Sequence, residues 1–166
     1  MGLALGVVLL DQVTKQLAVN LLAGQEPVRL LGGGLYLVYV TNSGAAFGLG
    51  ASYTWIFPLV GIVVVGWIGY LTLRLRSRLW GLSLGLVAGG VVGNLIDRLL
   101  REPGPLRGRV VDMLSLFVPD GSVWPVFNLA DSALVVGVLL AVWLEFTGRH
   151  RDGSRATPDR AKAEEA

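Results

Sequence analysis

The most informative part of the sequence is LWGLSLGLVAGGVVGNLIDRLL, residues 79–100, a long apolar run with polar residues near its end. About 20 apolar residues in a helix cross the roughly 30 Å hydrocarbon core of a bilayer. Further runs of this kind occupy residues 2–22, 54–73 and 126–146. We therefore predict a mainly α-helical membrane protein with a bundle of four transmembrane helices. Residues 1–148 are expected to form one membrane domain, followed by a polar, disordered tail at residues 149–166.

The composition supports a membrane protein and excludes several kinds of chemistry. Apolar residues make up 53% of the 166 residues and charged residues only 16%, against about 25% charged in a soluble domain. A net charge of +2 is too small to indicate a nucleic-acid partner. The chain has no cysteine, and its one histidine, His150, lies beyond the last apolar run. Histidine-based triads and zinc sites are thereby excluded from the membrane part, and we expect neither metal nor cofactor.

Arginine is concentrated on one side of the predicted bundle. The shortest loop and the segment after the last apolar run together contain Arg74, Arg76, Arg78, Arg149, Arg151 and Arg155. Because Lys and Arg mark the cytoplasmic side of membrane proteins, we predict that both termini are cytoplasmic. The first apolar run contains Asp11 and Lys15 and has no small-residue cleavage site, so we expect this helix to be retained.

The two remaining loops are predicted to carry structure on the outer surface. Residues 29–41, RLLGGGLYLVYVT, are rich in β-branched and aromatic residues and end at a turn signal, which indicates a small sheet or hairpin. Unpaired strand edges are not tolerated in hydrocarbon, so this sheet should lie outside the membrane. Residues 110–118, VVDMLSLFV, are apolar enough to lie at the interface as a strand or a short helix.

Polar residues within the apolar runs are the candidates for function, because ionisable groups in a membrane helix are costly. They form three sets, each on one helix face: Asp11 with Lys15, Asn94 with Asp97 and Arg98, and Asn128 with Asp131. The predicted topology places all three sets in the outer half of the bilayer. Asp131 is expected roughly 7 Å below the start of its helix, close to the loop that carries Asp112.

A pair of carboxyl groups at this depth suits the hydrolysis of an amide bond. Two neighbouring carboxyl groups share a proton because like charges raise one pKa. The ionised member then takes a proton from water, while the protonated member hydrogen-bonds the scissile carbonyl. Asp112 and Asp131 are the best candidates, since one lies on a surface loop and the other on a helix just beneath it.

Five motifs occur in an order and spacing that resemble the lipoprotein signal peptidase (signal peptidase II) family. They are DQVTK at residues 11–15, TNSGAAFG at 41–48, GNLIDR at 93–98, VVDM at 110–113 and FNLAD at 127–131. The resemblance extends over nearly the whole chain up to about Phe146. Met113 departs from the Phe that follows the first catalytic Asp in many members, and we expect this difference only to tune the shape of the pocket.

The resemblance implies an aspartic endopeptidase of the bacterial inner membrane with its active site toward the extracytoplasmic face. Such enzymes remove the signal peptide from prolipoproteins, cutting before a cysteine that carries diacylglyceryl. The matching residues are the catalytic Asp112 and Asp131, the substrate-binding Asn42, Gly44, Asn94, Arg98 and Asn128, and the supporting Asp11, Lys15 and Asp97.

The resemblance also implies further structural features and partners. An extracytoplasmic β-cradle matches the strand predicted at residues 35–41, and an interfacial helix matches the region Met113–Val118. The expected partners are the lipid-modified prolipoprotein, membrane lipids and inhibitory cyclic peptides of the globomycin type. The expected oligomeric state is a monomer.

Purely structural roles are alternatives for several of these residues. Asp11 and Lys15 suit a buried ion pair that fixes helix packing. Asp97 and Arg98 suit a structural bridge, although Arg98 equally suits a substrate carbonyl. Asn42 suits a turn.

Two other functions are compatible with parts of the sequence. One is a Ser-Lys peptidase with Lys15 as base and a hydroxyl such as that of Ser43 as nucleophile. The other is a small transporter or channel whose acidic residues carry protons or ions, although the runs show no internal repeat.

Overall fold

The computed structural model describes residues 2–44 and 53–155, and within them the protein is mainly helical. The helices are α1 (Gly2–Leu22), α2 (Ile56–Thr72), α3 (Arg78–Leu100) and α4 (Leu129–Phe146), and the strands are β1 (Val28–Leu30), β2 (Leu35–Asn42) and β3 (Val110–Leu116). Helices α1, α3 and α4 are each long and apolar enough to cross a membrane, whereas α2 is apolar but has only 17 residues.

Helix α3 is the centre of the bundle and packs against α1, α2 and α4. Glycines on α3 allow these contacts to be close. A Cβ atom at Gly89 would lie 2.7 Å from Val7 Cβ on α1, and one at Gly93 would lie 2.7 Å from Asp11 Oδ2. These small residues therefore let the backbones of neighbouring helices approach, as is typical of membrane bundles.

The predicted small sheet is present as three antiparallel strands in the order β1-β2-β3. Strand β2 pairs with β3 from Leu35 opposite Leu116 to Asn42 opposite Val110, with an irregularity between Leu37 and Val40. This register places Val40 opposite Asp112. The sheet therefore brings Asp112 next to the end of β2.

The expectation of an interfacial helix at Met113–Val118 is wrong. Residues up to Leu116 belong to β3 instead. The two β-branched residues Val110 and Val111 favour an extended backbone, and β2 supplies an unpaired edge for its hydrogen bonds. Only the strand alternative for this segment agrees with the structure.

Helix α4 begins later than predicted, at Leu129 instead of residue 126. Asn128 caps it: its Oδ1 accepts from the backbone N–H of Asp131 at 2.9 Å, and Asp131 Oδ2 accepts from the backbone N–H of Asn128 at 3.1 Å. Phe127 pairs with Leu114 through backbone hydrogen bonds of 2.8 and 2.9 Å. Asp131 therefore lies in the first turn, about 3 Å along the helix axis from Leu129 instead of the predicted 7 Å below the helix start.

The segment after α4 also differs from the prediction of a disordered tail. Trp80 Nε1 donates to the carbonyl of Arg149 at 2.7 Å. The backbone N–H groups of Arg76 and Ser77 donate to the carbonyl of Arg151 at 3.0 and 3.1 Å. These bonds hold the chain against the connection between α2 and α3. The rest of the predicted tail, residues 156–166, lies outside the described residues.

Candidate active site

Asp112 and Asp131 approach each other at the junction of the sheet and α4. Asp112 lies on β3 and is 2% exposed, and Asp131 lies in the first turn of α4. The side chain of Asn128 links the two residues. Its Nδ2 donates to Asp112 Oδ1 at 2.7 Å, and its Oδ1 accepts from the backbone N–H of Asp131. Asn128 thus holds both carboxyl groups, that of Asp112 through its side-chain amide and that of Asp131 through its backbone N–H.

Asn94 on α3 provides a second link to the pair. Its Nδ2 donates to Asp131 Oδ1 at 2.7 Å. Its Oδ1 accepts from Asn128 Nδ2 at 3.1 Å and from Lys15 Nζ at 2.9 Å. The two asparagines predicted to bind substrate are therefore also the groups that position the carboxylates.

Lys15 lies beneath the pair in a charged cluster with no solvent exposure. Its Nζ contacts Asp11 Oδ2 and Asp97 Oδ2, both at 2.8 Å, and all three side chains are 0% exposed. The predicted Asp11–Lys15 ion pair is present. Asp97 Oδ2 also accepts from the backbone N–H of Val111 at 3.2 Å. The cluster therefore anchors the residue that immediately precedes Asp112.

Arg98 binds backbone carbonyls and has no ion pair with Asp97 among the described residues. It donates to Ser43 and Gly108, each at 3.3 Å, and to Gly44. Its guanidinium lies 5.0 Å from the centroid of the Phe57 ring. Of the two alternatives for these residues, a structural bridge between Asp97 and Arg98 does not agree with the structure, because Asp97 pairs with Arg101 Nε at 2.7 Å.

Asn42 forms a turn, which is one of the two roles considered for it, and it also contacts Asp112. Its Oδ1 accepts from the backbone N–H of Gly44 at 2.8 Å, which forms a turn after β2. Its side chain also hydrogen-bonds to Asp112. Since Arg98 holds the carbonyl of Gly44, this turn is attached to α3 as well. The remaining residues of the TNSGAAFG motif, 45–48, lie outside the described residues.

Two residues of the network were not singled out from the sequence. Gln12 Nε2 donates to Asp97 Oδ1 and Asp11 Oδ2, both at 3.2 Å, and to the carbonyl of Gly93 at 3.0 Å. Arg101 pairs with Asp97. The spacing of four residues between Asp97 and Arg101 is a signal that could have identified this pair. No comparable spacing signal points from Gln12 to α3.

Burial changes the acidity of Asp112, which together with Asp131 forms the candidate catalytic dyad. Removal from water, reinforced by the charge of Asp131, raises the pKa of the Asp112 carboxyl from its ordinary value of 3.8 to about 7. Hydrogen bonds from Asn128 and Asn42 act in the opposite direction. The site can therefore hold a proton on a carboxyl group near neutral pH. Within residues 2–44 and 53–155 no group of three or more His, Cys, Asp or Glu side chains is placed to hold a metal ion.

The raised pKa of Asp112 predicts a pH-dependent gain in stability on replacing it with asparagine. A carboxyl whose pKa is raised by folding binds more protons in the folded state, so wild type loses stability as pH rises from about 4 to about 7. Asp112→Asn has no such group. We expect its thermal midpoint in detergent to exceed that of wild type by about 5 °C at pH 8 and to match it near pH 4. Equal midpoints at both pH values would contradict the raised pKa.

Comparison with known proteins agrees with this geometry. A family model described as signal peptidase (SPase) II matches residues 3–147. The lipoprotein signal peptidase of Mycolicibacterium smegmatis is 46% identical over 159 residues, which cover 92% of this chain and 66% of that relative. The lipoprotein signal peptidase of Mycobacterium avium is 43% identical over 164 residues, with 98% and 87% of the two chains covered.

Solved structures show the same fold. A bacterial membrane enzyme determined by the in meso method at 2.3 Å resolution superposes with a TM-score of 0.74 and 25% identity over 93% of this chain and 92% of that chain. A second, at 1.9 Å resolution, gives a TM-score of 0.73 with 28% identity over 86% and 89% of the chains. Because the family model spans most of the sequence, the chain belongs to the signal peptidase II family of peptidases.

Proposed function

We propose that this peptidase removes signal peptides from prolipoproteins and that Asp112 and Asp131 carry the hydrolysis. Membership of the family and the relatives named lipoprotein signal peptidase support the substrate class. The observation that carries the mechanism is the unit Asp112–Asn128–Asp131, in which Asn128 binds the buried Asp112 carboxyl with its side-chain amide and the half-buried Asp131 carboxyl with its backbone N–H. As the sequence resemblance implies, the cut falls before a cysteine that carries diacylglyceryl.

The pair would work with one shared proton. The ionised carboxyl takes a proton from water, whose oxygen attacks the scissile carbonyl carbon, while the protonated carboxyl donates to the carbonyl oxygen. The tetrahedral intermediate then collapses: a proton passes to the amide nitrogen and the C–N bond breaks. The products are a new carboxyl terminus on the signal peptide and a free amino group on the modified cysteine.

The orientation in the membrane is part of the proposal. All four helices cross the bacterial cytoplasmic membrane, with both termini cytoplasmic and the dyad toward the extracytoplasmic face. Helix α2, with 17 residues, is about 26 Å long and crosses with flanking residues or a locally thinner bilayer. The arginines between α2 and α3 support this orientation. Cyclic peptides of the globomycin type are expected to inhibit the enzyme. The enzyme is expected to work as a monomer.

The contacts of Lys15 argue against the Ser-Lys alternative. A general base needs a free lone pair, and Lys15 Nζ instead contacts two carboxylates and the Asn94 oxygen. These three acceptors match the three N–H donors of a lysine side chain. Ser43 contributes its carbonyl to Arg98.

Cleavage by the purified full chain in detergent tests the proposed function. The substrates are a prolipoprotein that carries diacylglyceryl on its cysteine and the same protein without the lipid. We expect cleavage immediately before the modified cysteine and a much slower reaction without the lipid. No cleavage by folded protein, or equal rates on both substrates, would refute the proposal.

Arg98→Lys is expected to lower kcat/KM by about 10- to 100-fold without unfolding the protein. The guanidinium binds carbonyls on two separate backbone segments, at Ser43–Gly44 and at Gly108, and one ammonium group cannot span them. The turn that carries Asn42 would then shift relative to the dyad, and small displacements of positioning groups are costly to catalysis. Steady-state kinetics and a thermal midpoint provide the measurement. The exposed Arg78→Lys serves as the matched control, and equal kinetics for both variants would contradict this role.

A further inference from the structure

We propose that an anionic phospholipid of the membrane binds in a groove between α2 and α4, at the end of the bundle opposite the dyad. The groove has a volume of about 670 Å³. Helix α3 forms its floor, because α3 packs against both neighbours. Trp80 and Leu84 on that floor belong to a buried apolar cluster with Ile68 and Leu144.

The walls of the groove suit an acyl chain. The wall residues include Val64, Trp67 and Leu71 on α2 and Val138, Ala141 and Val142 on α4. The α2 residues are three and four residues apart, and on α4 Ala141 and Val142 follow Val138 by three and four residues, so each set forms one continuous face. The stretch from Val64 to Leu71 is about 10 Å long. A single hydrocarbon chain that follows the helices would cover these otherwise open apolar faces.

Arg151 stands at the polar end of the groove. Its guanidinium lies 5.0 Å from the centroid of the Trp80 ring, and its Nη2 donates to Glu145 Oε1 at 3.0 Å. Its backbone carbonyl is held by the N–H groups of Arg76 and Ser77. The pair with Glu145 is half-exposed and therefore weak. Since a guanidinium has five N–H donors, Arg151 retains donors for a phosphate group.

The charge at this end identifies an anionic occupant. The described residues there include six arginines: Arg74, Arg76, Arg78, Arg149, Arg151 and Arg155. Glu145 and Asp152 are the acidic residues beside Arg151. Basic pockets between transmembrane helices recognise anionic headgroups. A signal peptide begins with a basic segment, which this excess of arginine would repel.

Lipid titration of the full-length Asp131→Asn variant tests the proposal independently of peptidase activity. Native mass spectrometry in detergent would compare phosphatidylglycerol with phosphatidylcholine of the same acyl chains. We expect about tenfold tighter binding of phosphatidylglycerol, and a loss of about fivefold in that affinity on adding Arg151→Gln. Arg74→Gln is the matched control and should change affinity by less than about twofold, because its side chain does not line the groove.

Val142→Trp examines the apolar part of the site. The larger side chain would fill the groove and leave the arginines in place, so we expect weaker binding of phosphatidylglycerol. Equal binding of both lipids, equal losses in the Arg151→Gln and Arg74→Gln variants, or full binding by the Val142→Trp variant would overturn the proposal. So would a photoreactive group at residue 142 that crosslinks to a basic signal peptide in preference to the lipid.

Discussion

Asp131→Asn is expected to lower kcat by about 10²- to 10⁴-fold while binding of the lipidated prolipoprotein is unchanged. An amide cannot accept the proton from water, yet it has nearly the same shape as the carboxyl group. It also keeps an oxygen that can accept from the N–H of Asn128, so the start of α4 should persist. Asp112→Asn is expected to show a loss of similar size. Because the two groups act as one unit, the double variant should be no worse than either single one.

Single-turnover cleavage of the lipidated substrate, together with a binding assay, provides the measurement. The matched control is Asp120→Asn, an acid on an exposed loop next to the sheet, which should retain wild-type activity. Substantial activity in both dyad variants would refute the mechanism and favour a hydroxyl nucleophile. Full peptidase activity combined with a loss of proton or ion flux would favour the transporter alternative.

Lys15→Met is expected to cost about 3–5 kcal/mol of folding free energy. Lys15 is the cation that contacts both Asp11 and Asp97, and none of the three side chains is exposed. Methionine fills a similar volume but leaves two buried carboxylates without their shared partner. In a chain of this size the loss corresponds to a fall of roughly 10 °C or more in the thermal midpoint.

Thermal unfolding in detergent checks this expectation against a surface pair. Glu145→Gln removes the half-exposed pair with Arg151 and should cost at most about 1 kcal/mol. If Lys15→Met alone does not accumulate, adding Asp11→Asn removes the buried carboxylate that loses its ion pair, whereas Asp97 keeps Arg101, and is expected to restore part of the stability. Equal midpoints for Lys15→Met and Glu145→Gln, or no rescue by Asp11→Asn, would mean that the cluster is not held by charge pairing.

The helices could be predicted from the sequence because their apolar runs are local features. The first predicted run, residues 2–22, coincides with α1, and the run at 79–100 differs from α3 by one residue. The start of α4 was missed by three residues. Hydropathy could not show that Phe127 pairs with β3, since this pairing depends on a partner distant in sequence. It also could not show that Asn128 is a cap, since a cap is a hydrogen-bond pattern with Asp131 and not part of an apolar run.

The candidate site was predicted in part, for a related reason. Asp11 and Lys15 are one turn apart on α1, so their pairing follows from helix geometry. Asp97 and Arg98 are adjacent, so their side chains point in different directions on α3. Arg98 reaches the turn after β2, whereas Asp97 reaches Lys15 and Arg101. These partners depend on how the helices and the sheet pack.

The amino-acid order alone was enough to indicate the class of protein, the helices, the sheet and the two catalytic candidates. Hydrocarbon requires every backbone group to be paired within the protein, so apolar runs of this length have few alternatives to helix. The contacts among the side chains of the site could not be predicted from the sequence and are defined only by the folded structure. Asn128 joins Asp112 to Asp131 because packing brings Asn128 next to Asp112, 16 residues away in the sequence. Lys15 joins α1 to α3 because packing brings it next to Asn94, 79 residues away. Such contacts depend on tertiary packing and leave no local periodicity in the sequence.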